Sequence, residues 1–578
     1  MSSSPKNWLH QQLLTAPNKW FSHSPAELNS LTEWNKPNTL SVENLAEWKA
    51  YLVPFNPSNA VLKQLDKLHH SNALCVVAGQ QAGLLGGPLL TIYKALSALQ
   101  WAQQMEQKLK RPVVPVFWIA SDDHDFAEIA PLHWMNANQS LSTTRITQRE
   151  EDLGKSVSDS MLISQDWIFL LQKIKDSVSS LSSSSGSRFV DIESEYSSLI
   201  EEFNSFTLNK TSTVEDQFLH FFLRWFASLG IVPLAPKIPF IRRGAVRLYQ
   251  HEIANPKAST SQLILAEDEL TAQGLQNAGI HRKGAELNFF WHNEHGRCRL
   301  EWIDSSKTND SPKLIAAYHP ISGKAVWEGI AKNLEELLFA KPEAFSPNAA
   351  LRPLLQDYLL PTVAFIGGPS ELVYHGQLAQ LYPLFNVKRP VCVPRVSITI
   401  FPKPFMRYLA KFNLTPEQLI NLPIHEIEAL LAERVDDERA LATVDESFTA
   451  IEFTLDHLEA KLEKINDSRI IEYTQKLREY LVRGRKKIQT RATQTLSARA
   501  HSQELHWAQI KETLFPNGAP QERVLNCFPF LHQQLGADAV SRLNATLDAT
   551  AWQQHQIIDC VHVPELSVFV SAPQGTTP

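Results

Sequence analysis

The sequence predicts an α/β fold: a parallel-sheet core split by insertions, followed by an antiparallel helical hairpin. Three observations predict it. Residues 74–120 read as strand, glycine loop, helix and strand; residues 362–378 repeat strand, paired glycines and helix; and a heptad pattern runs through 437–513.

LCVVA (74–78) is a short apolar run ended by Gly79, as expected of a buried strand. GQQAGLLGGP follows, and the next stretch has helical spacing through Ile92, Leu96, Leu99 and Ala102. VVPVFWIA (113–120) is a second buried strand that runs straight into SDDHDFAEI. This order is a βαβ unit with a right-handed crossover. It places both polar loops at the carboxyl ends of parallel strands, where open α/β sheets bind ligands.

From about 140 to 215 the chain turns polar, and its serine-rich stretch at 177–188 is expected to be a mobile loop. FLHFFLRWFASLGIVPLAP reads as a helix closing at Gly230, then a strand. Residues 255–345 look like a second insertion, with a hairpin turning at Asn293–Gly296. TVAFIGGPSELVYHGQL and PVCVPRVSITI return to the core.

In 437–513 the seam steps through Val444, Phe448, Ile451, Leu455, Leu458, Leu462 and Ile465. After Asn466-Asp467-Ser468 it resumes through Ile470, Thr474, Leu477, Leu481, Gly484 and Ile488. Two helices around a short turn make an antiparallel hairpin. Thr474 and Gly484 weaken the second half of the seam, so the hairpin is expected to pack on a partner, most simply its twofold mate.

Composition narrows the function classes. The 578 residues exceed one compact core. A net charge of −6 gives no nucleic-acid footprint, and any basic surface must be local. The cysteines (Cys75, Cys298, Cys392, Cys527, Cys560) are scattered without a CxxC pair, which fits a reducing compartment. No run reaches the roughly 20 apolar residues of a membrane span. The N-terminal stretch has no signal-peptide pattern, so a cytoplasmic protein is expected.

Three motifs carry chemistry. In the first, Gly79, Gly83, Gly86 and Gly87 let the backbone approach a ligand closely, and the helix start attracts anions. Gln80 and Gln81 add side-chain donors and acceptors that a plain turn does not need. Neither GxGxxG nor GK[ST] is present, so no dinucleotide or Walker-type site follows. Lys94, one turn into the helix, could meet a phosphate, although such a lysine is more often solvated.

The second motif is Ser121-Asp122-Asp123-His124-Asp125. Carboxylates beside a histidine favour the imidazolium and orient a general base. Asp123, His124 and Asp125 are the catalytic candidates; the bland alternative is a strand-end turn whose aspartates cap the next helix. A metal site there lacks a second His or Cys at ligand spacing.

The third motif joins Arg352, Gln356 and Asp357 to Gly367-Gly368-Pro369-Ser370-Glu371 and His375. Ser370 reads as an N-cap, and Glu371 suits the helix dipole as well as catalysis. Arg352 and Arg395 are candidates for carboxylate or phosphate recognition, with surface salt bridges as the alternative.

Several stretches resemble the bacillithiol biosynthesis cysteine-adding enzyme family: GQQAGLLGGPLLTIYKA (79–95), PVFWIASDDHDFAEI (115–129) and SPNAALRPLLQDYLLPTVAFIGGPSELVYHGQL (346–378). PVCVPRVSITI (390–400) and LFPNGAPQERVLN (514–526) complete the series, in family order over most of the chain. Ala82 stands where the family usually has proline, Ser370 where it has glycine, and Asp122 where it has glutamate. APKIPFIRR (235–243) lacks the aspartates expected there.

The resemblance implies a Rossmann-like parallel-sheet core with inserted connecting segments and an α-helical coiled-coil domain that dimerises. The implied activity is ligation of cysteine to glucosaminyl-malate, the last step of bacillithiol synthesis, with ATP suspected of activating the carboxyl. On this reading 1–145 is the first half of the core, 146–215 an inserted segment, and 216–254 a core strand and helices. A second insert then covers 255–345, the second core half 346–410, the coiled coil 411–515, and a segment packing on the core 516–578. A non-catalytic ligand-binding scaffold and a sugar-nucleotide transferase are the alternatives.

Overall fold

The computed structural model describes residues 5–28, 34, 36–123, 125–136, 139–162, 164–179, 197–198, 201, 212–255, 257–275, 280, 284–303, 314–423, 425–427, 437–465, 467–536, 538–559 and 568–571. His124, Asn466, Cys560 and most of the serine-rich stretch lie outside these residues; Ser177–Ser179 end a helix, Ser164–Ser179, rather than open a loop. The chain divides into two compact units, Met1–Ile400 with Pro516–Pro578, and Phe401–Phe515.

The first unit is built on five strands: β1 (Leu74–Gln80), β2 (Val113–Ile119), β3 (Val232–Leu234), β4 (Thr362–Gly367) and β5 (Val391–Pro394). They lie in the order β5-β4-β1-β2-β3, all parallel. Every residue of β2 and β4 is buried, which explains why these strands read as continuous apolar runs rather than alternating ones. The chain leaves β1 towards β2 and β3, then returns on the other side as β4 and β5. The order therefore reverses between β1 and β4, and this switch point opens a crevice at their carboxyl ends. This is a Rossmann-like core.

The helix Leu90–Leu109 packs on β1 and β2 through Ile92, Leu96, Leu99 and Ala102, all buried. The helix Val214–Trp225 lays Phe222 against Phe117 of β2, ring centroids 4.8 Å apart. That helix ends at Trp225, short of the expected stop at Gly230, which instead takes a positive φ in the turn leading to β3. The second insertion forms an antiparallel sheet around the hairpin Glu286–Asn293 and Gly296–Ile303. Its edge strand Phe345–Pro347 runs back into the core.

The second unit carries the coiled-coil hairpin, with helices Asp437–Leu462 and Ser468–Leu514. Its seam differs from the expected one. Ile451, Leu458, Ile465, Leu477 and Ile488 are exposed, and in the second helix Arg478, Arg485 and Gln489 take inner positions instead. Arg478 pairs with Glu459 at 2.5 Å, while Arg485 binds Glu452 at 3.0 Å and Gln489 binds Asp445 at 2.6 Å. Long guanidinium and amide side chains reach carboxylates across the seam there, which the leucine and isoleucine beside them cannot do. Among the described residues no helix is long and apolar enough to cross a membrane.

Candidate active site

The first glycine loop folds tightly on itself. A Cβ on Gly83 would stand 2.7 Å from the Gly87 Cα, and Gly86 takes φ +84 with Phe221 and Cys527 filling the space a side chain needs. Much of its backbone is internally satisfied: Gly83 N–H donates to Gln81 O at 2.9 Å, and Gly87 N–H to Leu84 O at 2.8 Å. These glycines thus serve the turn itself, while the side chains before them face the crevice.

Lys94 is not solvated, contrary to the usual behaviour of such a lysine. It is 4% exposed. Its Nζ donates to Gly79 O and Gln80 Oε1, both at 2.8 Å, and lies 2.5 Å from Glu371 Oε2. Burial pulls the Lys94 pKa below its ordinary value, and Glu371 offsets only part of that pull. The two glycine loops, nearly three hundred residues apart, are thereby tied together across β1 and β4.

The acidic motif is divided among several tasks. Asp122 forms a buried bidentate pair with Arg242, at 2.6 and 3.2 Å. Ser121 donates to Glu215, which also accepts from Tyr51 at 2.6 Å. Asp125 caps the turn Phe126–Ile129, accepting from Glu128 N–H at 3.2 Å, the role weighed as its bland alternative. Asp123 faces the crevice, 3.6 Å from the Arg297 guanidinium. The expected set of three carboxylates on one histidine therefore loses Asp122 to Arg242 and Asp125 to a cap.

At the second loop, Gly368 rather than Ser370 is the N-cap, because Pro369 occupies the first helical position. Glu371 accepts from Gly368 N–H at 3.2 Å while holding Lys94. Ser370, freed from capping, borders the crevice. His375 lies in the core, stacked on Phe365 at 4.1 Å, and burial depresses its pKa well below the ordinary value. Arg395 is neutralised by a bidentate pair with Glu522, at 2.7 and 2.9 Å. Arg352 donates to the Tyr374 hydroxyl at 2.8 Å.

Two cavities open along this crevice, of about 400 and 520 Å³. They share Gln80, Gln81, Lys94, Glu128, Ser370 and Glu371 as a common wall, where Gln81 donates to Glu128 at 2.7 Å. Gly83, Gly87, Gly368 and Arg395 line the first cavity, together with Arg523 and Asn526 from the motif at 514–526. Gly79, Asp123 and Arg352 line the second, with Arg297, Phe290 and Tyr374. Gly86, Ser121, Asp125, Gly367 and His375 line neither.

Residues 79–81 and 122–123 thus border one cavity, and the β4 loop closes it. Sequence reading missed Arg297, which the second insertion delivers, and Glu128, which follows the acidic motif by one helical turn. Arg297 sits 3.7 Å over the Phe290 ring, and burial pulls its pKa down to about 10. Among the described residues no cluster of three or more His, Cys, Asp or Glu is arranged to hold a metal ion.

Comparisons with known proteins cover both units. The family model described as "Bacillithiol biosynthesis BshC, N-terminal Rossmann-like domain" matches residues 19–396, and "Bacillithiol biosynthesis BshC, C-terminal coiled-coil domain" matches 398–560. The protein called "Putative cysteine ligase BshC" in Geobacillus thermodenitrificans is 28% identical over 523 residues, 88% of each chain. Its namesake in Desulforamulus reducens is 26% identical over 550 residues, 93% of this chain and 94% of its own. That of Bacillus anthracis is 28% identical over 504 residues, 85% and 86%.

Proposed function

From the premise that the chain belongs to the BshC family of bacillithiol biosynthesis, we propose that it is a ligase joining the cysteine carboxyl to the amine of glucosaminyl-malate, the closing step of that synthesis. The observation that carries the reading is the two-chambered crevice at the switch point, with Lys94 and Glu371 in the wall common to both chambers. A ligation needs two substrates held side by side with their reacting atoms at a shared boundary.

The reaction forms an amide C–N bond, and the amine must lose a proton before it attacks. His124, next to the Asp123 that faces the second cavity, is our candidate for that proton. A positioned general base is worth about 10²–10⁴ in rate. Glu371 and Lys94 form a neutralised pair at the boundary, which holds the two glycine loops in register around the reacting groups.

ATP is the proposed source of carboxyl activation. The first cavity fits an anion: the starts of the helices Leu90–Leu109 and Pro369–Gln377 border it, with Arg523 beside them. When bound, ATP supplies the driving force for amide formation; the protein's task there is to hold phosphate oxygens.

We also propose a homodimer through the helical hairpin. Phe453 (74% exposed) and Tyr480 (78%) are among several large apolar side chains that the hairpin leaves in solvent. The ligase reading is tested by incubating the protein with L-cysteine, ATP and glucosaminyl-malate and following new thiol by mass spectrometry. A cysteinyl amide of the acceptor is expected. Transfer from a sugar nucleotide, or no product with any acceptor, overturns it.

A further inference from the structure

Buried cations in this core come with carboxylates. Lys94 has Glu371, Arg242 has Asp122 and Arg395 has Glu522, each within 2.7 Å. That is what low dielectric demands, since an uncompensated buried charge is costly. Arg352, only half-buried in the same region, has no such partner among the described residues. It lies in the first turn of the helix Leu351–Leu359, lines the second cavity, and donates to a neutral phenol, the Tyr374 hydroxyl. Among the described residues no carboxylate forms an ion pair with it; Glu371 is taken by Lys94.

The phenol is suited to orienting this guanidinium without neutralising it. The Tyr374 hydroxyl takes one Nη2 hydrogen and leaves the rest of the fork for a second acceptor. Arg297 adds a second cation to the same lining, its guanidinium fixed by Ser346 Oγ and Pro347 O, both at 3.3 Å. Asp123 and Glu128 border the same chamber with opposite charge. A chamber with both guanidinium and carboxylate groups in its lining suits a ligand carrying carboxylate and ammonium together.

We infer that Arg352, held by Tyr374, is the carboxylate-recognition residue of the second cavity, and that the ligand there is an amino sugar bearing a carboxylate. The naming of the carboxylate rests on the ligase reading: it is the malyl group of the acceptor, not the reacting carboxyl of cysteine. Arg352 then sets acceptor specificity, and Tyr374 is a positioning residue.

The test measures L-malate and L-cysteine binding by calorimetry with the full chain, alongside acceptor KM. Loss of one charge-assisted bidentate contact weakens a carboxylate by about tenfold to a hundredfold. Arg352→Gln should weaken malate and raise the KM for glucosaminyl-malate by that factor, leaving cysteine affinity within twofold. Arg352→Lys, which keeps the charge without the fork, should fall between the two. Tyr374→Phe should raise the acceptor KM several-fold with kcat unchanged.

Thermal unfolding of each variant separates misfolding from lost recognition. Should Arg352→Gln fail to fold, the Arg352→Lys and Tyr374→Phe values decide the matter. Cysteine affinity falling instead of malate affinity overturns the assignment, as does unchanged acceptor KM in a working ligase. Arg352-dependent malate binding in a protein that makes no thiol would sink the ligase reading and leave the carboxylate site standing.

Discussion

Glu371→Gln removes the counter-ion of Lys94 while keeping the shape of the side chain. The lysine is then left 4% exposed with two neutral acceptors, Gly79 O and Gln80 Oε1. Breaking one side of a buried pair costs about 3–5 kcal/mol. Because the glutamine can still accept a bond, a loss near 3 kcal/mol is expected at pH 7. The cost is capped by deprotonation of the lysine, whose pKa is already lowered by burial.

The pH dependence follows from that proton. In the variant burial lowers the Lys94 pKa with no carboxylate to offset it, so the folded state releases its proton at a lower pH than the unfolded chain, which holds it up to about pH 10.4. The unfolded state binds more protons, so stability rises with pH by up to about 1.4 kcal/mol per unit. Between pH 7 and pH 9 the gap to the wild type should therefore narrow. Urea unfolding followed by tryptophan fluorescence at the two pH values reads this directly. A loss under about 1 kcal/mol at pH 7, or one equal at both pH values, would refute Lys94 as a buried ammonium balanced by Glu371.

Three further outcomes are expected. His124→Ala should lower thiol formation by about 10²–10⁴ without moving thermal unfolding, and a fully active variant removes the histidine from the mechanism. Glu522→Ala strands Arg395 and should cost about 3–5 kcal/mol at pH 7. Burial raises the Glu522 carboxyl, but Arg395 outweighs it and holds the pKa below 4.5, so this difference should persist above that pH and fade as acid titrates the folded carboxylate. Light scattering should give twice the chain mass at micromolar concentration; a monomer mass that does not change with concentration ends the dimer proposal.

How legible the fold and site were depended on how local the signal was. The strands β1, β2 and β4 are contiguous apolar runs, ended by glycine in β1 and β4 and by the acidic motif in β2, so the sequence order alone implied parallel pairing. The hairpin turn at Asn293–Gly296 was likewise written in turn-forming residues. Side-chain partners were not. Asp122 and Arg242 are 120 residues apart, and nothing near either announces the other. Lys94 read as a solvated lysine because its three partners come from two other loops. Ser370 looked like a cap, yet the proline before it shifts the helix start to Gly368. The coiled-coil seam was misread where charged side chains outcompete apolar ones, since a heptad count rewards leucine and ignores a guanidinium that reaches across to a carboxylate. His375 matched a motif but sits in the core, because helical periodicity turned it towards Phe365.

A structure with glucosaminyl-malate bound is the most direct measurement of where amide formation takes place. The ligand should lie at the carboxyl ends of β1 and β4, its malyl carboxylate on Arg352 and its amine directed to the wall formed by Gln80, Lys94 and Glu371. A ligand seated against the helical hairpin, or anywhere away from that crevice, would contradict the account.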